Sequence, residues 1–195
     1  MMAGNLGQVT ASSTVFLLCD VQEKFKPAIA HFNCVVQSCS KLITAGRILG
    51  VPLLVTEQYP KGLGKTVPEL DVQHAAVVAE KTKFSMVVPE VDAVLEQLKP
   101  RVAVIMGLEA HVCVEQTAAD LLARGHVVHV VADAVSSRSQ EDRLLAFDRM
   151  RQMGCFISTS ESIIFKLLGD KNHEKFGEVR GLVKEPSLST GLAKM

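Results

Sequence analysis

The sequence predicts a single α/β domain built on a parallel β-sheet, and three observations support that fold class. Short apolar runs rich in β-branched residues recur along the chain, each bounded by Gly, Pro or a charged residue, as strands are. Segments with apolar residues at helical spacing separate these runs. The chain has 195 residues, 48% of them hydrophobic, which is enough for one sizeable core. Such a βαβ series indicates parallel strands that helices cover on both faces.

Six runs are predicted to be strands, and four segments between them are predicted to be helices. The strands occupy 14–20, 51–57, 75–81, 101–107, 126–133 and 155–161. The helices occupy 35–50, 89–100, 112–125 and 141–154; three of them end at Gly and the fourth ends at Pro100.

The end of the chain divides into an apolar helix and a polar tail. The segment SIIFKLL, 162–168, predicts a helix so apolar that we expect it to bury both faces, partly within a homo-oligomer such as a dimer or tetramer. After residue 170 the chain turns polar. We expect residues 1–185 to form the single domain and 186–195 to form a flexible C-terminal tail.

Composition argues against several classes of function. The 21 Lys and Arg residues balance 21 Asp and Glu residues, and no long block of like charge is present, so nucleic acid and anionic membrane are disfavoured as partners. No apolar run approaches the roughly 18 residues of a membrane span, and the first residues resemble no targeting segment. Five cysteines without framework spacing indicate reduced thiols. We therefore expect a soluble, cytoplasmic protein that acts on a small molecule.

Polar residues cluster where the predicted strands end. In an open parallel sheet, ligands bind at the carboxyl ends of the strands. The residues found there, in strand order, are Asp20, Glu57 to Tyr59, Lys81, Glu109 to Cys113, and Asp133. The sequence therefore predicts that an acid, an amine and a thiol meet at one edge of the sheet.

Asp20, Lys81 and Cys113 together suit nucleophilic catalysis. Backbone N–H groups at a helix N-terminus and a nearby lysine favour a thiolate, and an adjacent carboxylate can accept the thiol proton. Each residue alone has a plainer interpretation: Asp20 as a turn or helix cap, Lys81 as solvated surface beside Lys83, and Cys113 as core. Their coincidence at one edge favours a catalytic site.

Four segments, in this order and spacing, resemble the isochorismatase-like cysteine hydrolase superfamily, and within it the isochorismatase domain-containing branch. They are LLCDVQEKF, EKTKFSM, GLEAHVCVEQTAADLL and VVADAVSSRSQEDR, and the resemblance covers about residues 12–185. It implies a three-layer, doubly wound, six-stranded sheet with strand order 3-2-1-4-5-6. It also implies a catalytic triad of Asp20, Lys81 and Cys113. Lys83 competes for the lysine role, but the family pattern places a second basic residue two positions after the catalytic lysine.

The resemblance also implies how the carbonyl oxygen would be held. The family carries a non-proline cis peptide before the cysteine, which maps to Leu108-Glu109. The backbone N–H groups of Glu109 and Cys113 would then form the oxyanion hole. Nicotinamidases of the superfamily bind a metal through an Asp-x-His element after the second strand, where this chain has TEQYPKG. Neither a metal nor another cofactor is therefore expected.

The residues around the predicted triad suggest a small and largely apolar pocket. Phe25, Tyr59 and Phe84 are the candidate apolar contacts to substrate, and Gln22, Gln58 and His111 are the candidate polar contacts. The segment YPKGLGKT, 59–66, nearly matches a phosphate-binding loop, but a tyrosine replaces its first glycine and a proline follows where a helix must begin. A lid or turn is the better interpretation of that segment.

The leading hypothesis is a metal-independent hydrolase that attacks a small amide, ester or related carbonyl through Cys113 and forms a thioester. The alternative is a non-catalytic scaffold of the same fold that binds a protein partner. Nucleic-acid processing is a distant third, because the charge is balanced, Tyr59 is the sole tyrosine and tryptophan is absent.

Overall fold

The computed structural model describes residues 6–192, and a six-stranded parallel sheet forms its centre. The strands are β1 (Thr14–Cys19), β2 (Leu53–Gln58), β3 (Val77–Lys81), β4 (Val102–Leu108), β5 (Val127–Ser136) and β6 (Phe156–Ser158). Their order across the sheet is β3-β2-β1-β4-β5-β6, and every neighbouring pair is parallel. The chain direction across the sheet reverses beside β1, and in such sheets ligands bind outside the carboxyl ends at that point. The predicted fold class and strand order are confirmed.

Helices cover both faces of this sheet. They are α1 (Phe32–Leu49), α2 (Pro60–Leu63), α3 (Pro89–Leu98), α4 (Glu115–Ala123), α5 (Gln140–Gln152), α6 (Ser160–Leu168) and α7 (Phe176–Arg180). Alternate residues of β1 point into two apolar clusters, one shared with α1 and α6 and the other with α3, α4 and α5. No helix within residues 6–192 has the length and apolar character needed to cross a bilayer.

Two strands end three residues away from their predicted ends, and local hydrogen bonds explain why. β5 continues to Ser136, so Asp133 lies within the strand and not at its end. This polar residue is tolerated there because its carboxylate accepts hydrogen bonds from the Ser38 hydroxyl and from the backbone N–H of Ser160. β6 stops at Ser158 because the Thr159 side chain caps α6 by accepting from the Ser162 N–H.

Helix α6 is amphipathic within the single chain, and the expectation that an oligomer covers its second face stays a prediction. Its buried face carries Ile163, Ile164, Leu167 and Leu168, whereas Phe165 is 40% exposed. Lys166 within the predicted apolar segment and Glu161 directly before it give the helix a solvated face.

The expected tail lies against the domain as far as Leu192. The Arg143 guanidinium donates to the Thr190 carbonyl at 3.0 Å, and the Leu188 N–H donates to the Gln37 side chain at 3.2 Å. Residues 186–192 therefore contact α1 and α5, and 193–195 fall outside the described residues.

Candidate active site

Asp20 lies at the centre of the site because β1 is a central strand and ends directly before it. Its backbone takes a positive φ of 50°, and its side chain is only 1% exposed. The Thr56 hydroxyl, on the neighbouring strand β2, donates to Asp20 Oδ1 at 2.8 Å. The second carboxylate oxygen, Oδ2, is the one that faces the other functional groups.

Lys81 reaches Asp20 across a whole strand. β3 and β1 flank β2, so their backbones are about 10 Å apart, a gap that a lysine side chain can span and a short side chain cannot. The Lys81 ammonium donates to Asp20 Oδ2 at 2.7 Å and to Gln58 Oε1 at 2.6 Å. It also donates to the backbone carbonyls of Lys83 at 3.2 Å and Phe84 at 2.9 Å.

These contacts keep the Lys81 ammonium charged although its side chain is 0% exposed. Burial alone would lower the pKa of Lys81, but the ionisable groups of Cys19, Asp20 and Cys113 outweigh burial and raise that pKa above its ordinary value. The site therefore holds a permanent, desolvated positive charge at neutral pH.

Cys113 approaches Asp20 from the turn that follows β4. It lies in a π-helical turn, Ala110–Val114, that leads directly into α4, and such turns are frequent at functional sites. The Sγ atoms of Cys113 and Cys19 and a carboxylate oxygen of Asp20 all lie within 4.8 Å of one another. Cys113 is 6% exposed. The structure thus brings Asp20, Lys81 and Cys113 together, as the positions of the strand ends predicted.

The backbone before Cys113 is tightly constrained. The Leu108-Glu109 peptide is cis, as the family resemblance implied. Gly107 has a φ of +119°, and a Cβ atom built on it would lie 2.0 Å from the Cys19 carbonyl oxygen. The Glu109 carboxylate accepts from the Arg138 N–H at 3.0 Å, which ties this turn to the loop after β5. Close approach of β1 and β4 therefore positions the thiol over Asp20.

The expected substrate contact of Gln22 needs correction, because its amide is already satisfied. Gln22 is fully buried, accepts from the Gln58 N–H at 2.7 Å, and donates to the carbonyls of Gln58 and Gly64 at 3.0 Å and 2.7 Å. It holds the loop after β2 in place. Gln58 also has a supporting contact, since it donates to the Thr82 carbonyl at 2.9 Å while accepting from Lys81.

The predicted aromatic residues are not equivalent. Phe25 packs against the apolar cluster under α1, whereas Tyr59 is 55% exposed and Phe84 is 50% exposed. A cavity of about 330 Å³ beside the site is lined by Tyr59, Pro60, Lys61, Glu80, Lys81 and Thr82. Charged and apolar residues both line this cavity, and the expected largely apolar substrate pocket stays a prediction.

His111 points its ring nitrogens toward the loop after β5. Nδ1 lies 2.9 Å from the Ser137 hydroxyl, and Nε2 lies 3.9 Å from the Asp142 carboxylate. These contacts make His111 a residue that orients the turn carrying Cys113. It keeps a partly exposed edge, with 20% of its side chain accessible.

Two arrangements bear on metal binding. Cys19, Asp20 and Cys113 could offer two sulfur ligands and one oxygen ligand, but the Lys81 ammonium already contacts the Asp20 oxygen, and a second cation there would be repelled. Glu57 lies where nicotinamidases carry their metal-binding Asp-x-His element. Its carboxylate instead accepts from the Lys65 side chain and the Thr66 N–H.

His74, the next histidine along the chain, is too far from Glu57 to bind the same metal ion. It precedes β3, whereas Glu57 lies near the carboxyl end of β2, so the two residues are at opposite edges of the sheet. Lys65, the lysine of the segment that resembles a phosphate loop, binds the carboxylates of Glu57 and Glu80. That lysine therefore serves to close the loop after β2.

Two members of the site were missed by the sequence prediction. Thr56 and Cys19 both lie inside strand-like apolar runs, where a small polar or sulfur-bearing side chain passes as core. The signal for Thr56 was a hydroxyl in an otherwise apolar run. The signal for Cys19 was its position next to Asp20, although strand alternation suggests that neighbours face opposite sides. The positive φ of Asp20 overrides that alternation.

Comparison with known proteins supports the resemblance found in the sequence. Residues 14–162 match the isochorismatase domain. Isochorismatase domain-containing protein 1 of Salmo salar is 50% identical over 96% of this chain, and isochorismatase domain-containing protein 2 of Homo sapiens is 47% identical over 96%. The matched regions cover 66% and 91% of those two proteins, so the chain spans just under two thirds of the former.

A solved structure of a relative agrees in fold and in sequence. The structure described as MAR1 ribonuclease from Caenorhabditis elegans has a TM-score of 0.91 and 46% identity, covering 95% of this chain and 96% of that one. Fold, site geometry and sequence identity lead to one conclusion. The chain belongs to the isochorismatase family of hydrolase folds.

Proposed function

We propose that the protein is a metal-independent hydrolase of a small amide, ester or related carbonyl compound, with Cys113 as nucleophile. The observation that carries this proposal is the buried Asp20–Lys81 ion pair at 2.7 Å with the Cys113 thiol beside it. A carboxylate, a fixed ammonium and a thiol in one desolvated cluster form a plausible covalent catalytic unit.

The proposed reaction has two stages. Asp20 Oδ2 takes the Cys113 proton, and the Lys81 ammonium stabilises both the carboxylate and the thiolate. The thiolate attacks the carbonyl carbon, and the N–H groups of Glu109 and Cys113 hold the resulting oxyanion. The C–N or C–O bond breaks, the leaving group takes the proton from Asp20, and a thioester remains. Water then attacks the thioester with Asp20 as base, which releases the acid and restores the thiol.

The site favours a small substrate. The side chains of Asp20 and Lys81 are 1% and 0% exposed and Cys113 is 6% exposed, so a reacting carbonyl would reach the thiol through a small opening. Tyr59 and Phe84 stand half exposed beside Lys81 and are the proposed walls of that opening. His111 keeps an accessible edge for a polar substrate group.

A panel of small amides and esters tests this proposal. The wild-type protein should hydrolyse at least one member, and Cys113→Ala should abolish that turnover while leaving the circular dichroism spectrum unchanged. Turnover should persist after exhaustive chelation, because Lys81 and backbone N–H groups supply the electrostatic stabilisation. Full activity in Cys113→Ala, or loss with chelator that zinc restores, would contradict the proposal.

A second candidate function is ribonuclease action, which the description of the Caenorhabditis elegans relative favours. Equal numbers of acidic and basic residues provide little attraction for RNA. A labelled RNA oligonucleotide belongs in the same panel: cleavage that Cys113→Ala removes would move this candidate ahead. A protein inert toward every panel member would instead favour the non-catalytic scaffold.

A further inference from the structure

Cys19 lies in the site but has no part in the proposed reaction. Its thiol is fully buried, donates to Asp20 Oδ2 at 3.6 Å, and has its sulfur within 4.8 Å of the Cys113 sulfur. Two free thiols thus lie within 4.8 Å of one Asp20 carboxylate oxygen, and the Cys19 thiol stands next to the one proposed to react.

We propose that Cys19 is the resolving thiol for an oxidised Cys113, so that the two cysteines form a reversible disulfide when the protein meets a peroxide. The proposal rests on the proposed function only in taking Cys113 as the reactive thiol. Because a disulfide has an S–S distance of about 2.0 Å, the two sulfurs must approach by less than about 3 Å.

The first step consumes one molecule of peroxide. The Cys113 thiolate attacks a peroxide oxygen, the S–O bond forms, the O–O bond breaks, and the departing hydroxide takes up a proton to become water. Cys113 is 6% exposed, and hydrogen peroxide is small enough to reach its sulfur through that exposed area. Cys113 is then a sulfenic acid, two electrons more oxidised than the thiol.

The second step uses the geometry around Asp20. Cys19 gives its proton to Asp20 Oδ2, to which it already donates, and its sulfur attacks the Cys113 sulfur. The S–S bond forms, the S–O bond breaks, and the leaving hydroxide recovers the proton from Asp20 as water. In total, two thiols and one hydrogen peroxide give one disulfide and two waters.

Burial explains why Cys19 would resolve and not react first. Burial, the contact with Cys113 and the neighbouring Asp20 charge raise the pKa of the Cys19 thiol well above its ordinary value, so it stays protonated and unreactive toward peroxide in bulk. Cys19 reacts only when the electrophilic sulfur of a Cys113 sulfenic acid forms beside it. A disulfide then protects Cys113 from irreversible oxidation to the sulfinic acid.

The test compares wild-type protein with Cys19→Ser after hydrogen peroxide treatment, with mass spectrometry as the readout. Wild type should lose about 2 Da and yield a peptide pair linked through Cys19 and Cys113, and dithiothreitol should restore the free thiols. Cys19→Ser should gain about 32 Da at Cys113, a change that dithiothreitol does not reverse. Cys34→Ser, which removes a partly exposed cysteine outside the site, should behave as wild type.

The outcomes separate this proposal from the proposed function. Sulfinic acid at Cys113 in wild type and Cys19→Ser alike would overturn the resolving role while leaving Cys113 as the reactive thiol. A Cys113 that stays unmodified, while iodoacetamide also fails to label it, would overturn both. A disulfide joining any other pair of cysteines would overturn the resolving role as well.

Discussion

Asp20 and Lys81 are buried as a pair, and that burial makes each dependent on the other. A charge moved from water into a protein interior loses several kcal/mol of solvation, which only a close partner and further hydrogen bonds can offset. Asp20 has Thr56 as a second donor, and Lys81 has three more acceptors besides Asp20. Removing one charge should therefore lower the free energy of unfolding more than removing both.

A double-mutant cycle tests this coupling. Lys81→Met should lower the free energy of unfolding by about 3 to 5 kcal/mol, because it leaves the Asp20 carboxylate buried without a counter-charge. Asp20→Asn should also destabilise, and the double variant should lose less than the sum of the two single losses. Urea unfolding of the four proteins measures this. Additive losses would show that the two groups do not stabilise each other in the fold.

At the scale of single residues, sequence predicted the positions that end strands and missed those within them. Asp20, Lys81 and Cys113 were found because parallel strands bring their carboxyl ends to one edge. Cys19 was missed because a buried cysteine in an apolar run is ordinarily core. Gln22 was given a substrate contact because sequence does not show that backbone groups of the loop after β2 occupy its amide.

At the scale of elements, the close approach of the paired strands β1 and β4 determines where Cys113 stands. The pairing of β4 with β5 shifts register between Ile105 and Gly107, and irregularities of this kind re-aim the residues that follow. Gly107 permits this close approach because it lacks the Cβ atom that would meet the Cys19 carbonyl. The position of the π-helical turn that carries the Cys113 thiol therefore depends on Gly107.

Gly107→Ala should destabilise the protein by about 3 kcal/mol or more, since both backbone strain and a clash with backbone oppose it. Gly125→Ala is the matched control: φ is also positive, at +84°, but nothing lies within 4 Å of the added Cβ, so strain alone should cost about 1 to 2 kcal/mol. Urea unfolding measures the difference. Equal losses in the two variants would refute the claim that Gly107 allows the close approach of β1 and β4.

Strand β5 carries a buried histidine that makes stability depend on pH. His129 is 1% exposed, its ring stacks on Phe156 at 5.0 Å, and neither ring nitrogen has a hydrogen-bond partner within residues 6–192. Burial, with a smaller contribution from the Lys166 charge, lowers the pKa of His129 from 6.5 to about 4. The folded protein therefore keeps this imidazole neutral where the unfolded chain protonates it.

Stability should fall as the pH drops from about 6.5 to about 4, since only the unfolded state gains the His129 proton there; the loss should reach on the order of 3 kcal/mol. His129→Leu should remove this part of the pH dependence. Val128→Ala, a buried change on the same strand, should lower stability equally at every pH. Urea unfolding between pH 4 and 7 checks both, and an unchanged slope in His129→Leu would refute the assignment.

Element types were predicted better than element ends. All six predicted strands exist, because short runs of β-branched residues between helical patterns favour strands over helices. β5 was ended too early at Asp133, since a carboxylate marks a strand end unless partners from other elements satisfy it, and those partners, Ser38 and Ser160, come from α1 and α6. Such partners lie far apart in sequence and become visible only in three dimensions.

At the scale of the whole molecule, the edge of the sheet formed by β3 is incompletely covered by helices. β3 is an edge strand whose Ala79 packs toward α3, while Val78 on its other face is 48% exposed. Tyr59 and Phe84, both about half exposed, lie at the end of the same strand. Besides α6, this apolar surface is a second place where we expect two copies of the chain to associate.

Val78→Asp should shift the protein toward monomer by placing a charge in that contact, as sedimentation velocity at micromolar concentration would show. Leu145→Asp, which changes a similarly exposed leucine on α5, should leave the oligomer intact. A wild-type protein that sediments as a monomer would contradict the expectation.

Competitive alkylation of the five cysteines tests the central claim most directly, because it asks whether the cluster of Asp20, Lys81 and Cys113 produces a reactive thiol. Burial raises the pKa of Cys155 to about 12 and that of Cys39 higher still, so those thiols should stay silent at neutral pH. With limiting iodoacetamide at pH 7, peptide mapping should find Cys113 labelled first, and Lys81→Met should slow that labelling while leaving Cys34 unaffected. Labelling of Cys34 ahead of Cys113, with no effect of Lys81→Met, would contradict the claim.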